Sequence, residues 1–233
     1  MTKAALDLDI LAFKASAVGE LRYLEVELPD GTCETFDNRT ALKEYCKITD
    51  MDYSQCVIEE QQFPEDWGTI IHTAKAMVKS WVQGAGCDTY VGYVGLENSF
   101  RDSLPLPDKY KGNRANNLKP IYVDDLKHWF LEQSWGIEAT EGLESDDWIS
   151  IEQYAGWQKF KKTKNKEDLV CGVTTDKDHN SIYGLSYNPD KMTEPKIIHG
   201  LGELYCNKRG NAWKMEGWGT KWLIAQHLLG DGS

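Results

Sequence analysis

Short apolar runs alternating with long amphipathic segments constrain the fold of this chain more than any other feature. "AALDLDILAF" (4–13), "DTYVGYVG" (88–95) and "LVCGVTT" (169–175) read as buried strands, the first with Asp7 and Asp9 at its far end. Between and after them, helical spacing of apolar residues predicts helices over 64–83, 121–135 and 144–157, and over "GTKWLIAQHLLGDGS" at the C-terminus. The first of these has a proline start and early acids. Strands that alternate with helices pair in parallel and are covered on both sides. The expected class is therefore α/β, a mostly parallel central sheet with helices on both faces. "LRYLEVELPDGTCETF" alternates around a Pro-Asp-Gly turn and predicts a β-hairpin near the N-terminus. "TALKEYCK" reads as a short helix, "GIEATEG" as a short strand or turn, and "KIIHGLGELYCN" as late strands. No internal repeat or low-complexity segment interrupts the 233 residues, and one domain over 1–233 is expected.

Composition narrows the function classes. With 41% hydrophobic residues, 9 Trp and 11 Tyr, the chain can build a core, and disorder is not expected. No apolar run has the length of a membrane span, and the N-terminus has acids inside its apolar run, unlike a secretory signal. Six widely spaced cysteines form no Cys-x-x-Cys and no Cys/His cluster, which argues against zinc and for reduced thiols in the cytoplasm. The net charge of −11 argues mildly against holding nucleic acid by charge alone. The same surplus is expected where carboxylates gather round divalent cations.

The acids fall in a pattern. Asp7 and Asp9 close the first strand, Glu144, Asp146 and Asp147 open a helix, and Asp176 and Asp178 close a later strand. Acids at a helix start also satisfy its positive end, so "GLESDD" alone is explained without a ligand. All three clusters, however, fall at equivalent ends of the sheet, where open α/β folds bind ligands. Asp and Glu without His or Cys make a hard-oxygen site suited to Mg²⁺, with Mn²⁺ as a substitute. An EF-hand reading of "DKDHNSIYG" fails, because Ser181 stands at the glycine position and Tyr187 at the closing glutamate. The loop "DKYKGNR" supplies opposite charge. Lys109, Lys111 and Arg114 can hold a phosphate, and Tyr110 can stack on a base. The lysine run 159–166 reads as a solvated loop, and His179 is the one histidine close to the acids.

"YKGNR", "LKP", an amphipathic helix and "GLESDD", followed in order by "TTDKD" and "LLGDGS", resemble the 5′-nuclease superfamily of flap endonucleases, polymerase-associated 5′ nucleases and phage ribonuclease H and 5′→3′ exonucleases. "ALDLDILAFKASA" resembles the opening strand of the phage members. The resemblance implies a PIN-like catalytic domain with an arch loop at about 96–120. It implies two Mg²⁺ ions and hydrolysis of DNA at 5′ ends or flaps, or of RNA in RNA–DNA hybrids, in replication or DNA degradation. Metal ligands carried over are Asp7, Glu144, Asp146, Asp147, Asp176, Asp178 and Asp231, with Asp9 in an outer role. Lys111 and Arg114 match the arch's basic pair, and Lys14 stands where relatives carry a phosphate-contacting base. Arg101, in "FR", joins Lys109 and Tyr110 as a nucleic-acid contact.

Two departures from the family pattern stand out. After the second core strand Glu97 is the nearby acid where many relatives carry an Asp. The chain also stops at Ser233, before the second Asp of the last motif and the helix–hairpin–helix region that relatives use to grip duplex DNA. A truncated product, or a partner chain carrying the missing half, is implied. Expected location is the cytoplasm, for a phage-encoded protein that of the host. Two rivals stay open: a catalytically weak nucleic-acid-binding half of a split nuclease, and a PIN-type endoribonuclease.

Overall fold

The computed structural model describes residues 2–96, 99–105, 118–140, 142–210 and 212–229. Its centre is a six-stranded sheet in the order β6-β5-β1-β7-β8-β9. The strands are β1 (Lys3–Asp7), β5 (Thr89–Val94), β6 (Ile137–Glu138), β7 (Val170–Val173), β8 (Gly184–Tyr187) and β9 (Lys196–Ile198). All neighbours run parallel except β8 and β9. The expected mostly parallel α/β sheet is thus present.

Alternation along β1 divides the core into two layers. Ala4 and Leu6 pack with α1 (Leu8–Val18), α3 (Trp67–Gly84) and α4 (Val123–Glu132) on one face. Ala5 packs with Tyr93 and with Ile149 of α5 (Ser145–Thr163) on the other. Helix α5 lies close against β7, so that a Cβ at Gly156 would stand 2.6 Å from the backbone nitrogen of Val170. A larger residue there forces the helix off the sheet.

Two smaller sheets flank this one. The N-terminal hairpin of β2 (Glu20–Glu27) and β3 (Cys33–Phe36) forms as expected and gains a third strand, β4 (Val57–Pro64). Leu24 and Val26 of β2 bury against Leu42 and Cys46 of α2 (Arg39–Ile48). Near the C-terminus β10 (Glu203–Arg209) and β11 (Ala212–Trp218) pair antiparallel, followed by α6 (Gly219–Leu229). No helix among the described residues is long and apolar enough to cross a membrane.

Several boundaries differ from expectation. The first strand stops at Asp7, and residues 8–18 are helix. Asp7 is that helix's N-cap and accepts a hydrogen bond from the Ile10 N–H at 3.2 Å. Asp9 therefore lies in a first helical turn and not at a strand end. Pro64 closes β4, and Asp66 caps α3. Lys159, Lys161 and Lys162 continue α5, which Lys164 caps in a left-handed conformation, so the lysine run is helix as far as Thr163. Strand β7 ends at Val173, which leaves Asp176 in a loop and Asp178 at the start of a 3-10 helix.

Candidate functional site

Parallel pairing brings the carboxyl ends of β1, β5 and β7 to one edge, and α5 returns its N-terminus there. Asp7 is the centre of what gathers. Only 2% of its surface is exposed. Ser145 Oγ, from the first turn of α5, donates to Asp7 Oδ1 at 3.0 Å and stands 3.1 Å from Asp9 Oδ2. Thr174 Oγ1, just past β7, donates to Asp7 Oδ2 at 3.0 Å. Three separate elements thus meet on one carboxyl group.

Burial, reinforced by the neighbouring charges of Asp9 and Asp146, pushes the Asp7 carboxyl up to about 7. Burial and then the charges of Asp147 and Glu144 push Asp146 up to about 6, with Arg101 opposing. Among the described residues neither Asp7 nor Asp146 forms an ion pair.

The surrounding acids do have cationic partners. Arg101, in a short 3-10 helix at Phe100–Ser103, grips Asp147 with both terminal nitrogens, at 2.8 and 2.7 Å. It also reaches Glu144 at 3.3 Å. By its sequence resemblance Arg101 is expected among the nucleic-acid contacts; in the structure it faces the acids. Asp147 meanwhile accepts from the Glu144 N–H at 3.0 Å and closes the start of α5. Asp9 pairs with Lys127 of α4 at 2.8 Å and accepts from the Gly95 N–H at 3.1 Å. Lys127 also donates to the Gly95 carbonyl, which ties the end of β5 to the cluster.

The remaining candidate residues have partners of their own. Asp176 accepts from the Asp178 N–H at 2.9 Å, and its own N–H donates to Thr174 Oγ1, two residues from the Asp7 contact. Asp178 is exposed and bonded by Gln226 of α6. Lys14 is ion-paired with Asp190 at 2.6 Å. His179 is buried, held by Gln153, and kept neutral at pH 7 by burial, which lowers it to about 4. Packing against Gly172 and Gln153 accounts for it. Trp148 stacks on Tyr93 with ring centroids 5.9 Å apart and covers the far face of the sheet beneath the acids. Glu97, Lys109, Tyr110, Lys111, Arg114 and Asp231 lie outside the described residues.

Among the described residues no three His, Cys, Asp or Glu side chains stand close enough together to hold one ion as arranged. The donor chemistry nonetheless fits a hard cation. Every candidate ligand is a carboxylate, and among the described residues Asp7 and Asp146 form no ion pair. Ser145, Thr174 and Lys127 were not singled out in the sequence. Ser145 sits inside "GLESDD", and its position one residue after the capping Glu144 is the only signal that could have marked it.

The chain matches no family model, no curated protein and no solved structure.

Proposed function

We propose that the chain is a divalent-metal-dependent 5′ nuclease of the 5′-nuclease superfamily, with a PIN-like sheet, acting on DNA 5′ ends or flaps and on RNA in RNA–DNA hybrids. The observation that carries this is the meeting of Asp7 with Ser145 of α5, Thr174 after β7 and the neighbouring Asp9 at the carboxyl edge of a parallel sheet. Asp7, Glu144 and Asp146 would hold one Mg²⁺. Asp147, Asp176, Asp178 and Asp231 would support that ion or a second. Bound dications supply Lewis acidity toward a phosphodiester and lower the pKa of the attacking water.

The chain's own residues do the rest. Ser145 and Thr174 hold the Asp7 carboxyl in one orientation. Lys127 neutralises Asp9 and fixes it beside the cluster. Arg101 competes with a cation for Glu144 and Asp147, and so sets how readily those two acids become ligands. Lys111, Arg114 and Lys14 would receive the phosphates.

Cleavage of a 5′-flap DNA with Mg²⁺, against an EDTA control, tests the reading. The wild type is expected to release short 5′ products. Asp146→Ala should lower the rate about a thousandfold or more, the loss of roughly 4 kcal/mol of charge stabilisation. Equal cleavage by the variant contradicts the assignment. Cleavage of single-stranded RNA in preference to the flap would favour the PIN-type endoribonuclease.

The Arg101 contacts, with no three ligands gathered among the described residues, favour a second reading. In it the chain is the nucleic-acid-binding half of a split nuclease and cuts only with a partner chain. Binding without cleavage, rescued by that chain, is its signature.

A further inference from the structure

A second cluster, on the far side of the loop that follows β7, is basic where the chain as a whole is acidic. The pocket lies between the β10–β11 hairpin, α6 and the segment 177–192. Lys177, Lys191 and Lys214 line it, with Tyr205, Trp222 and one acid, Glu216. Among the described residues that line it, three are lysines and one is an acid, in a chain of net charge −11.

Strand register explains the arrangement. Tyr205 pairs with Glu216 and Asn207 with Lys214, so these four side chains share one face of the hairpin. Glu216 accepts from Asn207 at 2.9 Å and forms a long ion pair with the Lys191 ammonium at 3.9 Å. Lys191 and Lys214 are exposed, and Tyr205 is 46% exposed.

The pocket also borders the acid edge. Lys177 lies between Asp176 and Asp178, and its carbonyl accepts from Trp222 Nε1 at 3.0 Å. The Thr175 carbonyl is held by Asn188 at 3.3 Å. From Thr174, which bonds Asp7, to Lys177 is three residues, at most about 11 Å of chain.

We propose that this pocket holds the phosphodiester backbone of a nucleic-acid strand whose neighbouring nucleotides lie over the acid cluster. Lys191 and Lys214 contact phosphates, and Tyr205 stacks on a base. The inference rests on the nuclease reading and gives that site a second, metal-independent grip. The volume, about 180 Å³, is below the roughly 300 Å³ at which small-molecule pockets begin, and suits one phosphate of a longer polymer.

The test is binding of a fluorescent 5′-flap DNA by the full chain in EDTA over a range of salt, for wild type, Lys191→Ala/Lys214→Ala and Tyr205→Ala. The double variant is expected to bind about tenfold more weakly, with a salt slope smaller by about 1.4, the value for two phosphate contacts on a single strand. Tyr205→Ala should weaken binding at least about fivefold with the slope unchanged. Wild-type affinity and slope in the double variant, or no binding by the wild type, overturns the pocket. Cleavage scored on the same DNA with Mg²⁺ separates the two claims. Cleavage with lysine-independent binding sinks the pocket alone, and lysine-dependent binding without cleavage sinks the nuclease reading alone.

Discussion

Two sets of carboxylates share one edge of the sheet and are treated differently by the fold. The rim acids, Asp9, Glu144 and Asp147, are neutralised from within by Lys127 and Arg101. The inner pair, Asp7 and Asp146, are pushed up to about 7 and about 6 by burial first and then by the carboxylates beside each. A fold that only needed to cap α1 could have placed Asn or Ser at position 7 without cost, and Asp146 takes no part in the cap of α5, which Glu144 and Asp147 form. Retaining buried like charges costs several kcal/mol in the bare chain, a cost that a bound cation would offset.

Removing the charge at the centre should produce the largest change in that contrast. Asp7 has a folded pKa above its unfolded value of 3.8, so its proton stabilises the fold fully below about pH 4. That stability is lost as pH rises to about 7. The loss for Asp7 is on the order of 4 kcal/mol, or about 10 °C in the melting temperature of a chain this size. The metal-free melting temperature is therefore expected to fall between pH 5 and 8, and to fall far less in Asp7→Asn. Mg²⁺ at pH 8 should restore the wild type and not the variant. An equal fall in both chains would erase the distinction between the inner and rim acids.

Arg101→Met should produce a smaller change, by moving Glu144 and Asp147 from the rim class to the inner one. Arg101 is about a quarter exposed, so loss of its pairs should cost only about 1–2 kcal/mol without metal. With Mg²⁺ the cost should shrink, because the freed Glu144 becomes available as a ligand. Melting curves with and without Mg²⁺ check this; a cost unaffected by metal would show that Arg101 is a structural tie alone.

The sheet and the helices were legible because burial imposes periods of 2 and 3.6 on the sequence. The end of the first strand was not. "ALDLDILAF" stays apolar across the change from strand to helix, and only the capping role of Asp7 marks the break. β4 was also hidden. "VIEEQQFP" puts four polar residues in a row at its centre, and its strand state comes from pairing with β2 across eight residues. β8 and β11 are likewise defined by their partners in the sheet. The acid clusters were readable as a set, but their balance was not. Lys127 is one lysine on the polar face of α4, and nothing local says that it reaches Asp9 on another helix. Arg101 read as a contact for nucleic acid, and its pairing with Asp147 appears only when residues 46 positions apart are brought together.

The most direct measurement is a Mn²⁺ titration, followed by electron paramagnetic resonance, of the wild type and of Asp7→Asn/Asp146→Asn. The wild type should bind Mn²⁺, and the double variant should bind it more than about a hundredfold more weakly while its circular dichroism stays native. Equal Mn²⁺ affinity and stoichiometry in the two chains would contradict the claim that the inner carboxylates form a metal centre.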